Sequence, residues 1–354
     1  MTELLLGTRK GLFVLEGEPG GPFEVRARAF AGEPVEYAMR DRRSGRVLAS
    51  VTSPFYGPKV WHTDDPAGDW EQASGIALPE GGEAALERIW VLAAGEADGS
   101  IYAGGDPGVL FESRDGGHSF ELNRGLWEHP SRPRWQPGGG GLCLHSISTW
   151  PGHPERLAVA ISAAGVWLSD DGGASWRNGN EGLVARYLPD DAPSDQIALC
   201  VHRLHRAPTR PERMFMQFHG GVYRSDDAGE SWQNIAEGLP SDFGFPLAID
   251  PADPDSAYVI PLTADTDRVT PDCRVRVYET RDAGASWSAR GGGLPQEHAY
   301  LTILREAFDW TGEGERLGLY FGATSGDVFG SADAGRSWST LATRLPPVLS
   351  VAAS

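Results

Sequence analysis

The chain is 354 residues long and carries 31 Lys+Arg against 49 Asp+Glu, a formal net charge of −18. Such a field repels phosphate backbones and anionic lipid, which sets nucleic acid and membrane surfaces aside as partners. Cys143, Cys200 and Cys273 are too few, and odd in number, for a disulfide framework, and no stretch approaches the roughly 18–20 apolar residues of a membrane-spanning helix.

From the N-terminus, Met1-Thr2-Glu3-Leu4-Leu5-Leu6 lacks the basic flank and long apolar run of a secretory leader, so a cytoplasmic location is expected. Residues 1–6 and 11–16 form two short β-segments. Similar alternating runs follow at Val60-Trp-His-Thr63, Leu110-Phe-Glu-Ser113, Val166-Trp-Leu-Ser169, Val222-Tyr-Arg-Ser225, Val277-Tyr-Glu-Thr280 and Val328-Phe-Gly-Ser331. Together with Gly11-Leu12-Phe13-Val14-Leu15 they begin seven units near residues 11, 59, 109, 165, 221, 276 and 327, in steps of 48 to 56. That is the length of one four-stranded propeller blade.

Five of the runs lead into one gapless motif, S/T-x-D-x-G-x-S-W/F. The copies are Ser113 to Phe120, Ser169 to Trp176, Ser225 to Trp232, Thr280 to Trp287 and Ser331 to Trp338. Thr63-Asp-Asp65-Pro-Ala-Gly68-Asp-Trp70 is a sixth copy with altered spacing. The motif suits a tight turn between a third and a fourth strand. Its carboxylate accepts backbone N–H bonds, its Gly takes positive φ, and its aromatic returns to the core. Asp65, Asp115, Asp171, Asp227, Asp282 and Asp333 are therefore expected to be structural rather than catalytic.

The fold expected is all-β, a single seven-bladed β-propeller over residues 1–354. The first blade lacks an innermost strand of its own, and the C-terminal Pro347 to Ala352 is the segment placed to supply it and close the ring.

These turns resemble those of the BNR/Asp-box repeat proteins, over nearly the whole chain. That family includes sialidases, xyloglucan-degrading glycosidases, sortilin-type receptors and a photosystem II assembly factor, so the resemblance implies the fold and leaves the activity open. A sialidase would be expected to have six blades and an Arg-Ile-Pro motif. Here the count is seven and Arg88-Ile89 is followed by Trp90, which argues against a true sialidase. Xyloglucan enzymes pair two propellers, and this chain has room for one.

Ligand sites in propellers gather where the loops entering each first strand, and those between second and third strands, converge over the channel. Counting back six residues from Pro151, Pro208 and Pro251 lands on His145, His202 and Phe245; the same register gives Arg88 in the preceding blade. Tyr37 and Tyr300 fall near the corresponding places in the second and seventh blades. His219 ends a second strand on that face, and His298 precedes the seventh blade.

The loop from Trp127 to Gly141 is the longest candidate lid, with Arg132, Arg134 and Trp135. Tyr56 is a second aromatic on the same face. Arg88 with Arg132 or Arg134 is suited to clamp a carboxylate, with His145 or His202 as acid–base group. Trp135 and Tyr56 would form stacking walls, with His219 and His298 as further ligand contacts.

Cys143-x-His145 and Cys200-x-His202, with His219, offer donors that suit a divalent metal such as zinc. The same residues have plainer readings, the thiols as small buried hydrophobes and each His as a group bonded to a carbonyl. Glu87, Asp106 and Asp265 lie on plausible faces, but no carboxylate pair stands out. Two functions follow from the sequence. One is a small-molecule- or carbohydrate-binding propeller with hydrolase or lyase activity at the channel mouth; the alternative is a non-enzymatic scaffold or assembly factor that binds a protein on its rim.

Overall fold

A computed structural model describes residues 1–81, 84–186 and 198–354. These residues form seven four-stranded antiparallel sheets. Each successive innermost strand packs against the next, and the seventh returns to the first. The innermost strands, blades 1 to 7, are Val348–Ala353, Val35–Arg40, Arg88–Ala94, Leu144–Trp150, Val201–Arg206, Gly244–Asp250 and Phe308–Thr311. Ring closure follows the sequence expectation. The C-terminal strand pairs with Thr2–Thr8, Leu5 opposite Ala352, so both ends of the chain build blade 1. No helix among the described residues is long and apolar enough to cross a membrane.

The repeated turns behave alike. In the fourth blade, Ser175 donates to both Asp171 oxygens, from its N–H at 2.9 Å and its hydroxyl at 2.5 Å. Those bonds pull the Asp171 carboxyl below its usual range. The Ser169 hydroxyl donates to Asp171 and accepts from the Gly173 N–H, whose φ of +85° suits glycine.

The turn tryptophans also stitch blades together. Trp232 donates to the Gly179 carbonyl at 2.8 Å and Trp287 to that of Ile235 at 2.7 Å, each in the preceding blade. Asp115, Asp227, Asp282 and Asp333 make the same paired bonds with Ser119, Ser231, Ser286 and Ser337. Asp65 instead accepts from the Ala67 N–H.

One irregularity decides what the channel presents. On six innermost strands a single extra residue is inserted at the same level: Leu349, Glu36, Trp90, His145, His202 and, in blade 6, one residue in the Phe245-Pro246 pair. A β-bulge of this kind re-aims a side chain. Trp90, not Arg88, is thus the counterpart of His145 and His202, and Arg88 lies two residues nearer the mouth. In blade 7 the same level is reached by Glu306, which bridges to Ser350 just before the strand. Tyr300 lies six residues earlier and is exposed.

Candidate functional site

The bulge level forms the floor of a cavity of about 530 Å³ at the channel mouth. Its wall comes from loops entering the innermost strands and from turns between second and third strands. Glu36, Trp90, Phe245 and Leu349 line it at the bulges, and Arg305 and Glu306 enter from blade 7. Arg9, Arg88 and Arg268 add three more guanidinium groups, Asp106 a third carboxylate, and Gly139 to Gly141 one side of the rim. Four arginines around one hollow is a local reversal of sign in a chain of net charge −18.

Three of the four side chains are ordered by rings. Arg88 lies over Trp90, with its Cζ 5.3 Å from the ring centroid. Arg305 lies over both Trp90 and Phe245, at 5.6 and 5.0 Å, and Arg268 over Phe245 at 5.4 Å. Such cation–π contacts hold a guanidinium plane without neutralising it. The Nε atoms of Arg88 and Arg305 are buried and find no hydrogen-bond partner among the described residues, and Arg305 is only 8% exposed.

Glu306 is the focus of the floor. Trp90 donates its indole N–H to Oε2 at 2.7 Å from blade 3, and Arg203 reaches Oε1 at 3.2 Å from blade 5. Burial nevertheless dominates and pushes the carboxyl up to about 7, against the pull of Arg203, Arg305 and Trp90. Below this cluster lies a second hollow of about 240 Å³, lined in part by Tyr37, Arg203, His205 and Asp309. There burial pushes Asp309 up to about 6 and Tyr37 up to about 12. The Trp90–Glu306–Arg203 cluster divides the channel.

The residues singled out in the sequence fall in different places. Arg88 lines the cavity. His145 is fully buried, with one ring nitrogen on the Val201 carbonyl at 2.9 Å and the other on the Ser146 hydroxyl at 3.0 Å. His202 places Nδ1 on the Gly244 carbonyl at 2.6 Å. Burial holds both imidazoles well below their ordinary range, so both are neutral pins between adjacent innermost strands. Neither lines the cavity.

Trp135 is only 4% exposed. It packs on Trp167, 5.0 Å between centroids, and donates to the Ser131 hydroxyl, so it is core rather than a stacking wall. Arg132 spends its guanidinium on the Pro107 and Gly108 carbonyls and on the face of Trp127. Burial lowers it to about 10. Arg134 is exposed on the same short helical turn and is not among the cavity residues. Tyr56 stands 80% exposed beside Phe55 at a hairpin tip, and His298 is exposed with φ +52°.

The sulfur–imidazole candidates separate as well. The Cys143 thiol donates to Asp106 at 3.4 Å and contacts the Gly140 carbonyl, and burial with the nearby Asp106 charge raises it. With His145 fully bonded, that half of the proposed donor set is closed. Cys200, His202 and His219, by contrast, bring one donor atom each within 4.8 Å of one another. A second trio, His62, Glu71 and His118, does so on the opposite face.

Sequence reasoning missed Arg305 and Glu306. The available signal was an adjacent Arg-Glu pair inside the apolar run Ile303-Leu304 to Ala307-Phe308, where two charges need a polar destination.

No family model matches the chain, and no curated protein matches it. Among solved structures it is similar to an ancestral GH74 enzyme, with 19% identity and a TM-score of 0.58 over 84% of this chain; it spans 36% of that enzyme's length. It is also similar to YCF48 bound to D1 peptide, at 14% identity and TM-score 0.49, covering 81% of this chain and 76% of that one. The GH74 xyloglucanase from Xanthomonas campestris aligns over 93% of this chain and 51% of its own, at 17% identity and TM-score 0.36. At these identities the likeness shows the fold alone, a seven-bladed β-propeller.

Proposed function

We propose that the chain is a small-molecule-binding propeller whose channel mouth takes a compact carboxylate-bearing ligand, such as an acidic sugar. The observation that carries this reading is the convergence of Arg9, Arg88, Arg268 and Arg305 on one cavity of about 530 Å³ in a strongly acidic chain. Ligand pockets commonly span roughly 300–1,000 Å³, so the space suits one sugar ring or a molecule of similar size. Guanidinium groups recognise carboxylates through paired N–H bonds, and Trp90 and Phe245 offer faces against which a ring can lie.

Glu306 is the acid–base group of this proposal. A carboxyl with a pKa near neutrality is suited to give or take a proton at working pH. Arginines that neutralise a substrate carboxylate also acidify the adjacent C–H, so a lyase-type step fits the residues better than hydrolysis. Glu306 takes that proton, the C–H electron pair forms a C=C bond as the neighbouring C–O bond breaks, and the leaving oxygen takes a proton from solvent. His145 and His202, pinned behind the residues that line the cavity, serve as scaffold in this reading.

The test is titration with glucuronate, galacturonate and their neutral parent sugars, followed by assay of uronate-containing oligosaccharides for unsaturated products. Saturable binding of the acids and not of the neutral sugars, lost in Arg88→Ala, supports the reading. Equal binding of both, or of neither, overturns it. A second reading, a protein-binding scaffold, rests on Phe55 and Tyr56, adjacent aromatics 86% and 80% exposed on the same face. It predicts that Phe55→Ser with Tyr56→Ser abolishes partner binding and leaves acid binding intact.

A further inference from the structure

We infer that Cys200, His202 and His219 form a zinc site at the edge of the channel mouth, independent of the anion pocket's function. The three residues come from the segment entering the innermost strand of blade 5, from that strand's bulge, and from the turn after the second strand of the same blade. One hairpin therefore supplies all three donors, and they lie within 4.8 Å of one another. The spacing is close enough for a single ion to draw the donors in by small side-chain rotations. The rings of His202 and His219 stand 5.3 Å apart at 68°, so their edges rather than their faces can share a centre.

Each imidazole has an acceptor oxygen behind it. His202 Nδ1 donates to the Gly244 carbonyl at 2.6 Å, which leaves Nε2 as its lone-pair nitrogen. His219 Nε2 lies 3.5 Å from the Asp265 carboxylate. A carbonyl or carboxylate behind each imidazole is the arrangement that orients metal-binding histidines. One sulfur and two nitrogens suit zinc better than calcium or magnesium, which prefer oxygen. Three protein donors leave a fourth tetrahedral position for solvent.

His202 is buried, while Cys200 and His219 are half-buried. On binding, the Cys200 S–H bond breaks, the sulfur pair is donated to zinc, and the proton leaves to solvent. Burial raises the Cys200 thiol, against the pull of Arg305 and Arg268, so in the absence of an ion the sulfur holds its proton and it is the ion that stabilises the thiolate. The rival trio on the opposite face is weaker by the same criteria. Arg46 Nη1 already meets His118 Nε2 at 2.6 Å, and Glu71 and His118 are both exposed.

The experiment uses the full chain, stripped with chelator and titrated with zinc alone, then with cobalt as a spectroscopic stand-in. The expected result is one equivalent of zinc bound, one proton released, and a thiolate-to-cobalt charge-transfer band. Cys200→Ser should abolish that band, and His219→Gln should weaken zinc binding. Asp265→Asn should weaken it about 10- to 100-fold. His118→Ala should change nothing. Absence of stoichiometric binding to the folded chain overturns the proposal. So does binding that survives Cys200→Ser and His219→Gln but falls in His118→Ala, which would place the ion on the opposite face. Circular dichroism of each variant separates lost binding from lost folding.

Discussion

Trp90 in blade 3 donates its indole N–H to Glu306 in blade 7, 2.7 Å across the channel and 216 residues apart in the chain. The bond fixes the orientation of the one cavity carboxyl whose pKa is pushed up to about 7, and it ties the floor of the channel-mouth cavity to two distant blades.

Glu306 makes stability depend on pH in a definite direction. Its folded pKa lies above the unfolded value near 4.5, so the native state holds the extra proton between about pH 4.5 and 7. Its contribution is therefore fully present below pH 4.5 and is lost as pH rises through 7. Buried His145, His202 and His205 act oppositely, since their depressed pKa values favour the native state at higher pH. The clean quantity is the difference between Glu306→Gln and wild type. That variant should gain about 3 kcal/mol relative to wild type between pH 4.5 and 8, at 1.36 kcal/mol per pKa unit. Denaturant unfolding at several pH values measures it, and a flat difference would remove Glu306 as the titrating group.

The arginines of the cavity are expected to separate by position. Arg88→Ala should weaken binding of a carboxylate sugar by about 1.5–3 kcal/mol, about ten- to hundredfold in Kd, the scale of a hydrogen bond to a charged group. Arg132→Ala should leave Kd unchanged, because its guanidinium is already committed to Pro107, Gly108 and Trp127. Calorimetric titration of both variants decides the matter. Equal losses would mean that the lid loop, not the channel mouth, meets the ligand.

The repeated turn predicts a stability effect with no functional one. Ser225 is buried, donates to Asp227 at 2.8 Å and accepts from the Gly229 N–H at 2.8 Å. Ser225→Ala leaves that buried N–H without its acceptor, at a cost of about 1–3 kcal/mol. Urea unfolding should show the loss while ligand Kd stays constant. A loss of affinity would mean that the turn face communicates with the mouth.

The fold was legible because the turn motif repeats in sequence and each copy satisfies its own bonds locally. Asp171 and Ser175 need nothing beyond four residues of chain. The site was legible only in part. Both strands carry their bulge at one level, so the miscount came from the turns that end them: the pairing sets Ala94 level with Thr149, so the residue level with His145 is Trp90, and Arg88 lies two before it. Glu306 was hidden for a related reason. Its partners Trp90 and Arg203 come from blades 3 and 5, and no spacing within blade 7 encodes them. Trp135 was misplaced because a tryptophan in a glycine-rich loop looks exposed until the core that receives it, Trp167 and Leu142, is known.

Two tryptophans near the mouth should therefore behave as opposites. Trp135→Ala empties a core position and should cost about 3–5 kcal/mol of stability, while the surviving folded protein binds its ligand with unchanged Kd. Trp90→Phe keeps an aromatic face beneath Arg88 and Arg305 but deletes the donor to Glu306. Stability should change much less. The carboxylate form of Glu306 loses a hydrogen bond that favours it, so its pKa should climb further above 7. Any pH-dependent binding or turnover should shift upward with it. The pH profile of Trp90→Phe, set beside the unfolding curve of Trp135→Ala, measures both. If the profile does not move, the indole is a spectator, and the pKa of Glu306 is set by burial against Arg203 and Arg305.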